Sequence, residues 1–112
     1  MVLIYDIETF PNYFSALFTT EDGEVEYIFE KREGVDQLAP LAQFVTKVEN
    51  LTLAGYNSLD YDDIMLKAIV EKPDMTNRQL FAVSNAIIRT EKKRDLPGTL
   101  KDIAYAAPPW NT

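Results

Sequence analysis

The sequence contains no cysteine and no histidine. The lack of cysteine excludes disulfide bonds and thiolate metal sites. The lack of histidine excludes serine–histidine triads, histidine-ligated zinc and imidazole acid–base catalysis. Any catalysis must therefore depend on carboxylates, Lys, Tyr, Ser or Thr, or on a metal ion that is held by oxygen ligands.

Long apolar runs and a basic charge are also missing. No run approaches the roughly 20 apolar residues of a membrane helix, and the N-terminus lacks the basic and apolar regions of a secretion signal. We therefore expect a cytoplasmic protein without a membrane partner. The formal net charge of −7 provides no basic field to attract nucleic acid, although bound divalent cations can bring a phosphate to an acidic site.

The remaining composition predicts one folded domain over residues 1–112, of which 46% are apolar. Asp22-Gly23 indicates a hairpin turn, and Thr76 and Thr99 are candidate helix N-caps. The order of elements predicts an α/β domain with a mixed sheet of three antiparallel strands and one further strand parallel to the first, flanked by helices. The expected strands cover 2–7, 13–19, 24–30 and 51–55, and the expected helices cover 37–49, 60–70, 77–89 and a short last segment.

Two acids interrupt the first apolar strand, "VLIYDIETF". Asp6 and Glu8 are two residues apart, so their side chains point to the same face of a strand, and Ile7 points to the other face. Two carboxylates on one face can chelate a metal ion. An Asp-x-Glu pattern alone is weak evidence, because most such pairs are surface acids.

A second acidic cluster lies at the expected junction between the fourth strand and the next helix, in "AGYNSLDYDDIMLK". If the first and fourth strands are parallel, Asp60, Asp62 and Asp63 lie at the same edge of the sheet as the first pair, where α/β proteins bind ligands. Converging carboxylates repel one another unless divalent cations such as Mg²⁺ or Mn²⁺ join them. Alternatively, Asp60 or Asp62 is only a helix N-cap.

These two segments resemble a known family. "DIET" at 6–9 resembles the first motif of the DnaQ-like DEDD 3′–5′ exonucleases, which have a ribonuclease H-like fold, and "GYNSLDYDDIML" at 55–66 resembles their second motif. The phrase "DIETFPNYF" is most similar to the exonuclease domains of phage DNA polymerases and phage-encoded nucleases. Together the motifs cover the N-terminal two thirds of the chain.

The resemblance implies hydrolysis of phosphodiester bonds at 3′ ends by a two-metal mechanism, in DNA replication and in the cytoplasm of a phage host. In that reading two Mg²⁺ or Mn²⁺ ions are the cofactors and the 3′ end of single-stranded DNA is the partner. The implied catalytic and metal-binding residues are Asp6, Glu8 and Asp62, and the implied substrate-binding residues are Phe10, Asn57 and Tyr61. Without this resemblance, Phe10 and Tyr61 would be interpreted as core aromatics and Asn57 as a residue that stabilises a turn.

The family's third motif is missing. It places a fourth acid four residues after Tyr or five after His, but Tyr105 is followed four residues later by Pro109. We therefore expect the ribonuclease H-like fold to be incomplete at the C-terminus. Three explanations remain: a second chain or a polymerase supplies the fourth acid, the domain is an inactive module that binds a polymerase or another partner, or Asp95 or Asp102 is the fourth acid. In the second case Trp110, in an exposed "PPWNT" end, is a candidate docking residue.

Overall fold

A computed structural model describes residues 1–55 and 61–110 of the chain. It contains five strands, four α-helices and one short 3₁₀ helix over Lys93–Asp95. The strands are β1 (Val2–Phe10), β2 (Tyr13–Thr20), β3 (Glu26–Arg32), β4 (Val35–Asp36) and β5 (Thr52–Gly55). The helices are α1 (Leu38–Lys47), α2 (Asp62–Glu71), α3 (Asn77–Arg89) and α4 (Gly98–Tyr105).

The strands form one mixed sheet in the order β4-β3-β2-β1-β5. β1, β2 and β3 pair antiparallel, and β5 runs parallel to β1, from Val2 opposite Thr52 to Tyr5 opposite Gly55. The predicted α/β architecture with a mixed sheet is confirmed. The predicted fourth strand, over 51–55, corresponds to β5, and it runs parallel to β1 as expected. β4 is a two-residue strand paired with the end of β3, and it lies between the expected strand over 24–30 and the expected helix over 37–49.

Local chemistry explains where several elements begin and turn. The β2–β3 turn has Gly23 at φ 76°, a conformation that glycine adopts without a steric cost. Thr76 caps α3 as predicted, because its side chain accepts a hydrogen bond from the backbone N–H of Gln79 and the Gln79 side chain accepts one from the backbone N–H of Thr76. The predicted short last helix is observed as α4, but its predicted cap is wrong, because Thr99 lies inside α4 and Pro97 precedes its first residue.

The core lies on one side of the sheet, where the described helices pack. Alternate residues of β1, such as Tyr5 and Ile7, are buried there. The ring of Tyr5 stacks on that of Phe18 at 5.6 Å, and Phe18 in turn contacts Phe44 of α1 at 5.3 Å between ring centroids. We call this side of the sheet the helix side.

The C-terminal segment contributes to this core. Trp110 is only 4% exposed and belongs to the buried apolar cluster. The sequence-based hypothesis of an exposed tryptophan that docks on a partner is therefore wrong. Burial of the Trp110 ring in the core of this chain removes a large apolar surface from water and so stabilises the fold.

The opposite side of the sheet is not covered by the described helices. Its exposed apolar side chains include Ile28 at 54% and Phe10 at 48%. We call this surface the open face. Its residues are Ile4, Asp6, Glu8 and Phe10 of β1; Tyr13, Ser15, Leu17 and Thr19 of β2; and Glu26, Ile28, Glu30 and Arg32 of β3.

Within residues 1–55 and 61–110, no helix is both long and apolar enough to cross a lipid bilayer.

Candidate functional site

Asp6 and Glu8 lie next to each other along the open face of β1. Asp6 is half-buried and Glu8 is exposed, whereas Ile7 between them is buried on the helix side. The alternation of a pleated strand produces this arrangement, and it confirms that the two acids share one face. β1 continues to Phe10, so both acids lie within the strand and not beyond its end.

A shallow groove of about 270 Å³ brings a third acid towards this pair. Glu30 of β3 lines the groove together with Asp6, Glu8 and Ser15. In the sheet register Ser15 lies between Glu8 and Glu30, so about two strand spacings, or about 10 Å, separate the two glutamates. The three carboxylates therefore line one groove without converging on one point.

Glu30 also has a local structural role. It accepts a 2.6 Å hydrogen bond from the hydroxyl of Tyr13, and this bond raises the pKa of Tyr13 above its ordinary value because it favours the neutral phenol. The Arg32 side chain lies 4.0 Å from the other carboxylate oxygen of Glu30. These contacts engage both carboxylate oxygens of Glu30.

Phe10, a predicted substrate-binding residue, is at the end of the open face. Its ring is exposed and lies 6.3 Å from the ring of Tyr13, tilted by 37°. A base could stack against this aromatic pair without sequence preference. The position is compatible with contact to a nucleic-acid end and equally with contact to a protein.

Asp62, the third predicted metal ligand, lies on the helix side. It is the first residue of α2 and is completely buried. The adjacent Asp63 accepts a hydrogen bond from the hydroxyl of Tyr5. Burial raises the pKa of Tyr5 above its ordinary value, and the hydrogen bond to Asp63 and the charges of Asp63 and Asp62 raise it further. Two acids in the first turn also interact favourably with the helix dipole.

Tyr61, another predicted substrate-binding residue, connects three elements at the start of α2. Its hydroxyl donates to Thr9 at 3.3 Å and lies 2.8 Å from the hydroxyl of Ser84 on α3. Either hydroxyl can donate the hydrogen bond between Tyr61 and Ser84. Tyr61 therefore fixes the beginning of α2 to β1 and α3, and its side chain is half-buried. Asn57 and Asp60 lie outside the described residues.

The structure brings together only part of the predicted set. Asp6, Glu8 and Phe10 share the open face, whereas Asp62 and Tyr61 are on the helix side. Within residues 1–55 and 61–110, no three Asp, Glu, His or Cys side chains are close enough to hold a metal ion. Asp95 and Asp102, the candidates for the fourth acid, are exposed on the 3₁₀ helix and on α4. Neither lines the groove of the acid pair.

Two residues of these regions, Glu30 in the groove and Tyr5 beside Asp63, were not identified from the sequence. Glu30 could have been found by continuing the hairpin register from Asp22-Gly23, because Glu26, Ile28 and Glu30 alternate on one face of β3. Tyr5 could not have been found in this way, since its bond to Asp63 depends on how α2 packs against β1.

Comparison with protein-family models, with curated proteins and with solved structures found no match for this chain. The two motifs and the sheet topology therefore carry the functional argument.

Proposed function

We propose that this chain is a metal-dependent 3′–5′ exonuclease domain with a ribonuclease H-like fold, or the N-terminal portion of one, from a phage-type DNA polymerase or nuclease. The reaction is hydrolysis of the terminal phosphodiester bond of single-stranded DNA. One observation carries the proposal: Asp6 and Glu8 share the open face of the strand that pairs antiparallel with β2 and parallel with β5. The resemblance implies this strand and this spacing for the first acidic motif.

The fit of Mg²⁺ or Mn²⁺ to the described residues is incomplete. Carboxylate oxygens are the ligands that these cations prefer, and Asp6 and Glu8 provide them in a solvent-accessible groove. Asp62 lies on the other side of the sheet, so the described residues do not form a two-metal site. Activity would require further ligands from residues outside the described ranges or from a second chain.

The proposal is tested with the purified chain and 5′-labelled single-stranded DNA. We expect shortening of the DNA from its 3′ end with Mn²⁺ or Mg²⁺ and none with EDTA. The double variant Asp6→Asn/Glu8→Gln should abolish shortening and reduce Mn²⁺ binding in calorimetry at least tenfold. Glu26→Gln removes a carboxylate from the same face, away from the groove, and is the matched control.

Three results would contradict the proposal. The first is shortening that persists in EDTA, and the second is equal activity of the double variant and the Glu26→Gln control. The third is the absence of both DNA shortening and Mn²⁺ binding in the wild-type chain. Mn²⁺ binding that depends on Asp6 and Glu8, without shortening, supports a metal site that a second chain must complete.

A second candidate is a catalytically inactive ribonuclease H-like module that binds a polymerase or another partner. The burial of Asp62 on the helix side favours it, because this places the acid of the second motif away from Asp6 and Glu8. Asp62→Asn separates the candidates. In a nuclease with Asp62 as a ligand, the variant loses activity and Mn²⁺ affinity; in an inactive module, it changes only the free energy of unfolding.

A further inference from the structure

The open face is a continuous apolar and acidic surface. The groove beside Glu8 and a second groove of about 400 Å³ near the β2–β3 turn share Asp6 and Leu17 as lining residues. In the sheet register Asp6, Leu17 and Ile28 follow one another across β1, β2 and β3. Exposed aliphatic and aromatic side chains on one uncovered surface indicate a site of interaction.

The architecture also allows a covering layer. Antiparallel strands such as β1, β2 and β3 can leave one face in water, but helices that pack on a sheet face are a common second layer of protein domains. The β1–β3 portion is about 30 Å long and about 10 Å wide between its outer strands. This area matches a single helix of about 20 residues, which is about 30 Å long and 10 Å in diameter.

The charge of the open face selects the chemistry of the occupant. It carries four carboxylates, those of Asp6, Glu8, Glu26 and Glu30, and one cation, Arg32. Basic side chains along both edges of a helix would complement the acids, and an apolar stripe would cover Leu17 and Ile28. Such electrostatic complementarity gives specificity and speeds association.

We propose that the open face binds an amphipathic helix of a partner protein, with an apolar stripe flanked by Lys and Arg. A second copy of this chain would bring the same acids face to face. Without bound divalent cations, nucleic acid would meet four carboxylates and only one guanidinium.

The test uses two synthetic peptides of about 20 residues with the same leucine pattern, one with lysines and one with glutamates at the polar positions. Binding is measured by fluorescence anisotropy in EDTA without nucleic acid, so the result is independent of the proposed nuclease activity. We expect binding of the lysine peptide only. Amide chemical-shift changes should fall on β1, β2 and β3.

Two isoleucine variants test the location. Ile28 is 54% exposed on the open face, and Ile88 is 68% exposed on α3. Ile28→Ser should weaken binding of the lysine peptide about tenfold, which corresponds to the loss of one buried aliphatic side chain. Ile88→Ser should leave it unchanged. Because both side chains are exposed, both variants should fold.

Several results would overturn the inference. These are no binding of the lysine peptide, equal binding of the glutamate peptide, equal effects of the two isoleucine variants, or shift changes confined to the helices. Tighter binding of a single-stranded oligonucleotide than of the lysine peptide to the open face, also in EDTA, would identify a nucleic-acid surface instead.

Discussion

The hydroxyl of Tyr5 provides a sharp test of how α2 is attached to the sheet. The side chain is 1% exposed, stacks on Phe18 and donates a hydrogen bond to Asp63. Tyr5→Phe keeps the ring and removes the bond. A hydrogen bond to a charged group contributes about 1.5–3 kcal/mol. Because Asp63 is half-exposed and water can replace the phenol, we expect a loss of about 1–2 kcal/mol in the free energy of unfolding at pH 7.

The same substitution should change the dependence of stability on pH. Burial, followed by the bond to Asp63, raises the pKa of Tyr5 above its ordinary value. Above about pH 10 the unfolded chain loses the Tyr5 proton while the folded chain keeps it. The stabilisation from Tyr5 is therefore complete below pH 10 and falls above it by about 1.4 kcal/mol per pH unit. Tyr5→Phe lacks this loss, so its stability should approach that of the wild type near about pH 11.

Urea unfolding at several pH values between 7 and 11 measures both effects. The control is Tyr105→Phe, which removes a hydroxyl from an exposed side chain and should follow the wild type at every pH. If Tyr5→Phe and the wild type lose stability in parallel above pH 10, the Tyr5 hydroxyl is not buried against α2. The proposed attachment of α2 to β1 would then be wrong.

Other predictions concern single elements. Thr76→Ala removes the capping box of α3 and should lower the free energy of unfolding by about 1 kcal/mol. Thr46→Ala, at an exposed position in the last turn of α1, should cost nothing or stabilise slightly, and equal losses in the two variants would contradict the cap. Trp110 is the only tryptophan, so its emission should be blue-shifted and protected from acrylamide until the chain unfolds, and solvent-like emission in the native protein would refute its burial. Gly23→Ala should cost about 1 kcal/mol because of the positive φ alone, since no atom lies within 4 Å of the new Cβ; no loss in thermal unfolding would contradict this turn.

Strong local patterns made much of the fold predictable from the sequence. The apolar spacing and the Thr76 cap place α3 at 77–89, as observed for Asn77–Arg89. The Asp22-Gly23 turn and the alternation around it predict β2 and β3 within about two residues at each end. β4 was missed because two residues cannot display a period. The start of α4 was missed because Thr99 resembles a cap locally, whereas the helix begins at Gly98 after Pro97.

The candidate site was less predictable because two different geometric questions were involved. Because β1 and β5 are parallel, their carboxyl ends lie at the same edge of the sheet, and this edge is where the two acidic segments were expected to meet. The parallel pairing does not predict on which face of the sheet each acid lies. The pleat of β1 directs Asp6 and Glu8 to the face opposite the buried Tyr5 and Ile7. The packing of α2 places Asp62 on the helix side, where Tyr5 and Ile7 lie. The alternation alone could have indicated this separation, since the helices must cover the apolar positions of β1.

The separation of Asp62 from Asp6 and Glu8 connects the two proposals. A helix starting on the helix side cannot present its first buried side chain to the open face unless the start of α2 moves relative to β1. Three hydroxyl contacts oppose that movement: Tyr5 with Asp63, Tyr61 with Thr9, and Tyr61 with Ser84. Ligands that complete a metal site on Asp6 and Glu8 must therefore either release these contacts or arrive over the open face. A partner helix occupies the same surface, so partner binding and access to the acid pair are coupled.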